Sequence, residues 1–121
     1  MRYLFRALLL SACVGIGICG YNALRFRYGV SDAVARTLLS ILEDTRWASD
    51  FSEEKFSDIV VGMTKDQVTM LLGKPLRETC TAGCEWVYTW QADPTASFDW
   101  RSIHFDDLGR VDMKRREFFI D

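Results

Sequence analysis

Hydrophobic and polar positions divide the chain into three stretches. The first is an apolar run from Ala7 to Leu24. It is about 18 residues long, the lower end of what spans a bilayer. Its only strongly polar member is Asn22, while Tyr3 and Tyr21 stand near the edges, where amphipathic rings favour a membrane interface. Arg25 to Val30 then forms a short polar connector. In the second stretch Ser31 can cap a helix, and Asp32 favours its positive amino end. Val34, Leu38, Ile41 and Leu42 recur at helical spacing, with Arg36, Glu43 and Asp44 off the stripe. The pattern predicts an amphipathic helix over 31–47, whose apolar stripe needs either the following domain or another protein as cover.

The third stretch carries the clearest local signals. Ser52, with Glu53 and Glu54 behind it, opens a short helix near 52–58. Gly62 allows a sharp turn. Thr64 and Gln67 form a capping box, and Met63 and Val68 stand at the positions of a hydrophobic staple. Val68, Leu71 and Leu72 make one apolar face. Gly73 ends the helix and Pro75 prevents its resumption, so a helix is predicted over 64–72. Beyond it the period changes to two. Trp86, Tyr88 and Trp90 alternate with Val87 and Thr89, and Ile103 and Phe105 flank His104. Asp106-Asp107-Leu108-Gly109 marks a hairpin turn, and Val111 and Met113 continue the return strand. Strands are predicted at about 84–91, 98–106 and 109–118. Phe98 and Trp100 share a face with Ser102 and His104, which requires either a bulge near Arg101 or a strand partly apolar on both faces. The expected fold is α+β: two short helices packed on a three-stranded antiparallel sheet, preceded by an N-terminal membrane segment and an extra amphipathic helix. The expected division is residues 1–29, an anchor or signal segment; 30–51, helix and connector; and 52–121, the α+β domain.

Charge sharpens the division. Residues 1–29 hold Arg2, Arg6, Arg25 and Arg27 and no acid, so of the net charge of −2 the remaining residues carry −6. An acidic domain argues against nucleic-acid binding, which needs a basic face to displace counterions. The apolar run admits three readings: an uncleaved anchor, a lipoprotein signal or a cleaved signal peptide. Leu10-Ser11-Ala12-Cys13 has the small-residue pattern that precedes a lipid-modified cysteine, which makes Cys13 a candidate lipid-attachment site. The residues after Cys13 stay apolar rather than turning polar, which argues the other way. All three readings put the acidic domain outside the cytoplasm if the amino terminus stays inside. There, Cys80 and Cys84 could close a short-loop disulfide.

Chemistry is sparse. His104 is the single histidine, and no nucleophile motif or metal-ligand spacing is present. His104 with Cys80 and Cys84 makes a three-ligand set only by coincidence of folding. A Cys-x-x-x-Cys pair ahead of a strand is not the redox motif, which has two intervening residues at a helix start. Nothing points to an enzyme or a cofactor. Trp90, Phe98 and Trp100 are the protein-binding candidates, because outward-facing Trp and Phe make interface anchors. Trp86 and Tyr88 fit the core face instead.

The run Ile59 to Val68, then Leu71-Leu72-Gly73-Lys74-Pro75, Trp86-Val87-Tyr88 and Phe105-Asp106-Asp107-Leu108-Gly109-Arg110-Val111, resembles the signature of the BamE/SmpA/OmlA family over roughly residues 55–116. The residues carrying it are Gly62, Met63, Thr64, Gln67, Val68, Leu72, Gly73, Pro75, Trp86, Tyr88, Phe105, Asp106 and Gly109. The resemblance implies two helices on a three-stranded sheet in a small envelope lipoprotein or secreted domain. It also implies an accessory, non-catalytic role in outer-membrane or envelope assembly, the alternative being an inhibitor or regulator of an extracytoplasmic enzyme. Implied partners are envelope proteins, the barrel-assembly machinery among them, and the membrane through the N-terminal segment. The implied location is the cell envelope, with the soluble domain in the periplasm. The helix over 31–47 and the Cys80/Cys84 pair lie outside the family pattern.

Overall fold

The computed structural model describes residues 2–26, 29–39, 43–81 and 83–120, with side chains other than those of residues 2–9, 26 and 39. The apolar run lies in helix α1 (Arg2–Phe26), and helix α2 (Val30–Leu39) packs beside it. Asn22, buried despite its polarity, donates from Nδ2 to Thr37 Oγ1 at 3.0 Å and accepts from Arg36 Nη1 at 3.1 Å. Those bonds between helices offset the cost of taking its amide out of water. Among the described residues no helix is long and apolar enough to cross a membrane. The expected membrane segment is therefore not supported as a spanning helix: the apolar stretch whose side chains are described begins at Leu10 and stops at buried Asn22.

The helix predicted over 31–47 is shorter than its stripe suggested. α2 starts at Val30, with Ala33 N donating to Gly29 O at 3.0 Å, so Ser31 lies inside the helix rather than capping it. Thr45–Trp47 is a strand, β1; Ile41 and Leu42 lie outside the described residues. Thr45 and Trp47 are sheet-forming types, and strand pairing overrides the helix that the periodicity predicted there.

The two short helices form where their capping residues stand. Ser52 accepts from Lys55 N and opens α3 (Glu53–Asp58). Thr64 opens α4 (Lys65–Leu72) with both bonds of the capping box: Gln67 N donates to Thr64 Oγ1 at 3.3 Å, and Thr64 N donates to Gln67 Oε1 at 2.9 Å. Gly73 closes α4 at φ +72°.

The sheet is larger than expected. Strands β2 (Arg77–Cys80), β3 (Cys84–Val87), β5 (Phe98–Phe105) and β6 (Val111–Phe119) form a four-stranded antiparallel sheet in the order β2-β3-β5-β6. β4 (Thr89–Gln91) leaves it to pair with β1 in a second, two-stranded sheet. The single strand predicted over 84–91 is thus two, broken at Tyr88. Tyr88 N donates to Arg101 O at 2.9 Å, but Arg101 N turns to the Thr89 hydroxyl at 2.8 Å. A side chain takes the place of a ladder carbonyl, and Thr89–Gln91 is freed to meet β1.

One face of the large sheet lies under α3 and α4. Trp86, Tyr88, Ile103, Phe105 and Val111 pack there against Phe56, Ile59, Val68 and Leu72, each at most 7% exposed. Burying a side chain of this size stabilises the fold by roughly 1.5–3 kcal/mol. At the other end of the same face Phe118 meets Ala33 of α2. The bulge lies between His104 and Phe105, not near Arg101: pairing moves from His104–Met113 to Phe105–Val111. Asp112 is the extra residue, and β5 is apolar on both faces.

Candidate functional site

β5 residues alternate between the two faces. Asp99, Arg101, Ile103 and Phe105 point to the helices, so Phe98, Trp100, Ser102 and His104 take the opposite face. Phe98 pairs across the ladder with Phe119, whose ring stacks on it at 5.5 Å between centroids. Trp100 lies 5.4 Å from Phe119 and 6.1 Å from Phe98. The break at Tyr88 brings Trp90 to this side as well, 5.6 Å from Trp100 and 6.3 Å from Phe98. The structure therefore brings the three candidates Trp90, Phe98 and Trp100 together in one cluster and adds Phe119. Phe98 is buried beneath the others, Trp90 and Trp100 are half-buried, and Phe119 is 41% exposed.

The rim is polar. The Arg77 guanidinium lies over the Trp90 ring at 4.5 Å, and Arg46 pairs with Trp90 across the small sheet. Arg46, Leu76, Arg77 and Trp90 line a cavity of about 200 Å³. Trp100 Nε1 donates to Ser102 Oγ at 3.0 Å, and Arg115 and Glu117 form an ion pair at 2.9 Å on the neighbouring strand. His104 Nε2 and Glu85 Oε1 stand 3.1 Å apart at ion-pair distance, without the alignment of a hydrogen bond. An aromatic centre with a polar, partly charged rim is the composition of a protein-binding surface. Sequence reasoning missed Phe119, Arg46, Arg77, Arg115 and Glu117. The terminal Phe118-Phe119-Ile120 run was the available signal for the first of these.

The opposite face carries buried charge. Arg101, fully buried, donates from Nε to Glu53 of α3 and from Nη1 to Trp100 O at 2.8 Å. Arg36 reaches Glu43 at 3.0 Å and both carboxylate oxygens of Asp99 at 3.3 Å. Burial pushes the Asp99 carboxyl up to about 6, against the opposing pull of the Arg101 charge. Burial likewise raises the Tyr88 phenol, whose hydroxyl donates to Gly73 O at 3.3 Å.

The remaining predicted residues serve the frame. Gly62 N donates to Val111 O at 2.7 Å and Val111 N to Met63 O at 2.8 Å, which docks the turn before α4 on the start of β6. Asp106 Oδ1 accepts from Leu108 N and Arg110 N, both at 2.9 Å, and shapes the hairpin with Gly109. Cys80 and Cys84 are disulfide-bonded, their Cα atoms 4.1 Å apart at the closed end of the β2–β3 hairpin. Cys13 is an exposed free cysteine midway along α1. Among the described residues no three His, Cys, Asp or Glu side chains converge as metal ligands would. Leu10, Val14, Ile16 and Ile18 of α1 and Val34 and Leu38 of α2 expose their apolar side chains.

The model of the outer membrane protein assembly factor BamE domain matches residues 51–115. The match takes in α3, α4 and the sheet as far as Arg115 of β6, and so includes Trp90, Phe98 and Trp100 but not Phe119. A search of curated proteins found no match.

Proposed function

The chain belongs to the outer membrane protein assembly factor BamE domain family, and from that premise we propose a non-catalytic cell-envelope protein that assists outer-membrane assembly by binding a partner protein through its aromatic sheet face. The supporting observation is the Trp90–Phe98–Trp100–Phe119 cluster with its arginine rim. Half-buried tryptophans bury large areas when a partner closes over them, at small cost in side-chain entropy. Attachment to the membrane through the N-terminal segment, with Cys13 as the lipid-bearing candidate and residues 52–121 in the periplasm, completes the reading. Its support is the apolar exterior of α1 and α2, which water alone would leave uncovered.

The test is affinity capture of the tagged full chain from detergent extracts of envelopes, beside a Trp90→Ala/Trp100→Ala variant. Barrel-assembly subunits should be recovered with the parent and be reduced at least about tenfold with the variant, since two such anchors carry more than about 1.4 kcal/mol. Equal recovery with both proteins removes the aromatic face from the function. A stoichiometric complex with a soluble hydrolase in place of assembly subunits overturns the assembly role.

A further inference from the structure

The Cys80–Cys84 disulfide sits in a cleft of about 440 Å³ open to solvent, lined by Lys65, Thr81, Gly83, Asp106 and Asp107 beside the two cysteines. Its sulfurs are not equivalent. Cys80 is exposed on the edge strand β2, whereas Cys84 is half-buried at the start of β3. Lys65 at the start of α4 points its Nζ at Cys84 Sγ, 3.1 Å away. That ammonium also lies 5.7 Å from the Trp86 ring centroid and 5.5 Å from that of Phe105, so it is held over the sheet rather than free in solvent. A cation at hydrogen-bond distance stabilises a thiolate and not a thiol. In disulfide exchange the sulfur whose thiolate is better stabilised leaves faster. The cation therefore selects the sulfur that leaves, and the exposure selects the sulfur that is attacked.

We propose that this disulfide is a directional thiol–disulfide exchange site, opened by a protein dithiol that attacks Cys80 while Cys84 departs as a thiolate paired with Lys65. In the first step a thiolate of the dithiol forms a bond to Cys80 Sγ, the Cys80–Cys84 bond breaks, and its electron pair goes to Cys84 Sγ. In the second step the other thiol of the dithiol gives its proton to water and its thiolate attacks the dithiol sulfur of the mixed disulfide. The bond from that sulfur to Cys80 breaks, and its electron pair goes to Cys80 Sγ, which takes up a proton from water. The dithiol leaves oxidised, as a disulfide, and Cys80 and Cys84 are left reduced, two electrons having passed to them. The chain is the substrate of this exchange and not its catalyst, which agrees with a cysteine spacing unlike that of redox enzymes. Asp106 and Asp107 on the cleft wall disfavour an anionic reductant, so the surface presented around the attacking thiol should be neutral or basic. The proposal does not depend on the assembly role, and its test involves no assembly partner.

The test uses the folded full-length chain in a Cys13→Ala, Cys19→Ala background, so that Cys80 and Cys84 are its only cysteines. In Cys80→Ser and Cys84→Ser variants, the rate of alkylation by iodoacetamide is followed against pH to titrate each remaining thiol. Cys84 should ionise at lower pH than Cys80, and adding Lys65→Met should raise its midpoint while Lys65→Arg preserves it. In the intact protein Lys65→Met should slow reduction by dithiothreitol about threefold to tenfold, with acid-quenched mass mapping placing the mixed disulfide on Cys80. Equal midpoints for the two thiols, an unchanged rate in Lys65→Met, or a mixed disulfide on Cys84 overturns the proposal. Circular dichroism of the Lys65 variants guards against misfolding. If Lys65→Met does not fold, the midpoints of the two single-cysteine variants decide the question alone.

Discussion

Thr64 and Gly73 show how single side chains bound the helix on which the fold depends. Thr64 satisfies the Gln67 N–H that the first turn of α4 would otherwise leave unpaired, and Gln67 answers by accepting from the Thr64 N–H. Thr64→Ala removes half of that exchange, so it should cost about 1 kcal/mol, read as a lower denaturation midpoint with an unchanged slope. An unchanged midpoint would mean that solvent replaces the hydroxyl without penalty. Gly73 is a harder constraint for two independent reasons. Its φ of +72° is unfavourable for any side chain, and a Cβ there would stand 2.6 Å from Asp50 Oδ2 and 2.7 Å from Asp50 Cβ. Gly73→Val should therefore cost more than Thr64→Ala, about 3 kcal/mol or above. Gly73→Ala combined with Asp50→Gly should recover part of the loss, because the double variant relieves the clash and leaves only the backbone term. If the double variant is no better than Gly73→Ala alone, the Asp50 contact is not what excludes a side chain.

At the scale of elements, legibility followed the source of each element's stability. α3 and α4 were readable because caps and turn glycines act within a few residues of the helix they bound. β2 was not, because Arg77, Glu78, Thr79 and Cys80 are all exposed and an edge strand without a buried face leaves no alternation. β1 depends on partners more than 40 residues away in the chain, and the break at Tyr88 on Arg101 of β5; no local pattern announces either. The aromatic face was half legible: period-two spacing put Phe98 and Trp100 together, but Trp90 joins them only through the break, and Phe119 only through the β5–β6 register. The buried pair Arg101–Glu53 was invisible, since a lone arginine in a strand looks like a solvated residue. It ties α3 to the centre of β5. Glu53→Ala deletes the carboxylate and leaves a buried cation, so it should destabilise by about 3 kcal/mol. Glu53→Gln, which keeps an acceptor oxygen, should fall between the two. Thermal denaturation of both variants at one pH checks the order, and Glu53→Ala as stable as the parent would show that the other contacts of Arg101 suffice.

At the scale of the whole molecule, Asp99 lies where the N-terminal helices meet the sheet. It pairs with Phe118 across the β5–β6 ladder, and Phe118 packs on Ala33 while Arg36 of α2 reaches the Asp99 carboxylate. Two effects oppose each other at this carboxyl. The arginine charges favour its ionised form, and complete burial disfavours it. Burial wins, and the carboxyl is lifted from 3.8 to about 6. The sign of the pH dependence follows. A group with a raised folded pKa binds more protons in the native state than in the unfolded chain between about pH 4 and 6, so stability falls as pH rises through that window. The cost is fully developed at neutral pH and absent below about pH 4. Asp99→Asn keeps an oxygen for Arg36 and carries no charge to bury. Denaturation midpoints of parent and variant should therefore agree near pH 4 and diverge as pH rises. The variant should gain on the order of 2 kcal/mol relative to the parent by pH 7, the equivalent of a shift of about two units reduced for relaxation around the site. A variant that instead loses stability relative to the parent as pH rises would show that the pairing with Arg36 and Arg101 outweighs burial. Asp99 would then be a salt-bridge anchor between α2 and the sheet, rather than a buried charge that the fold tolerates at neutral pH.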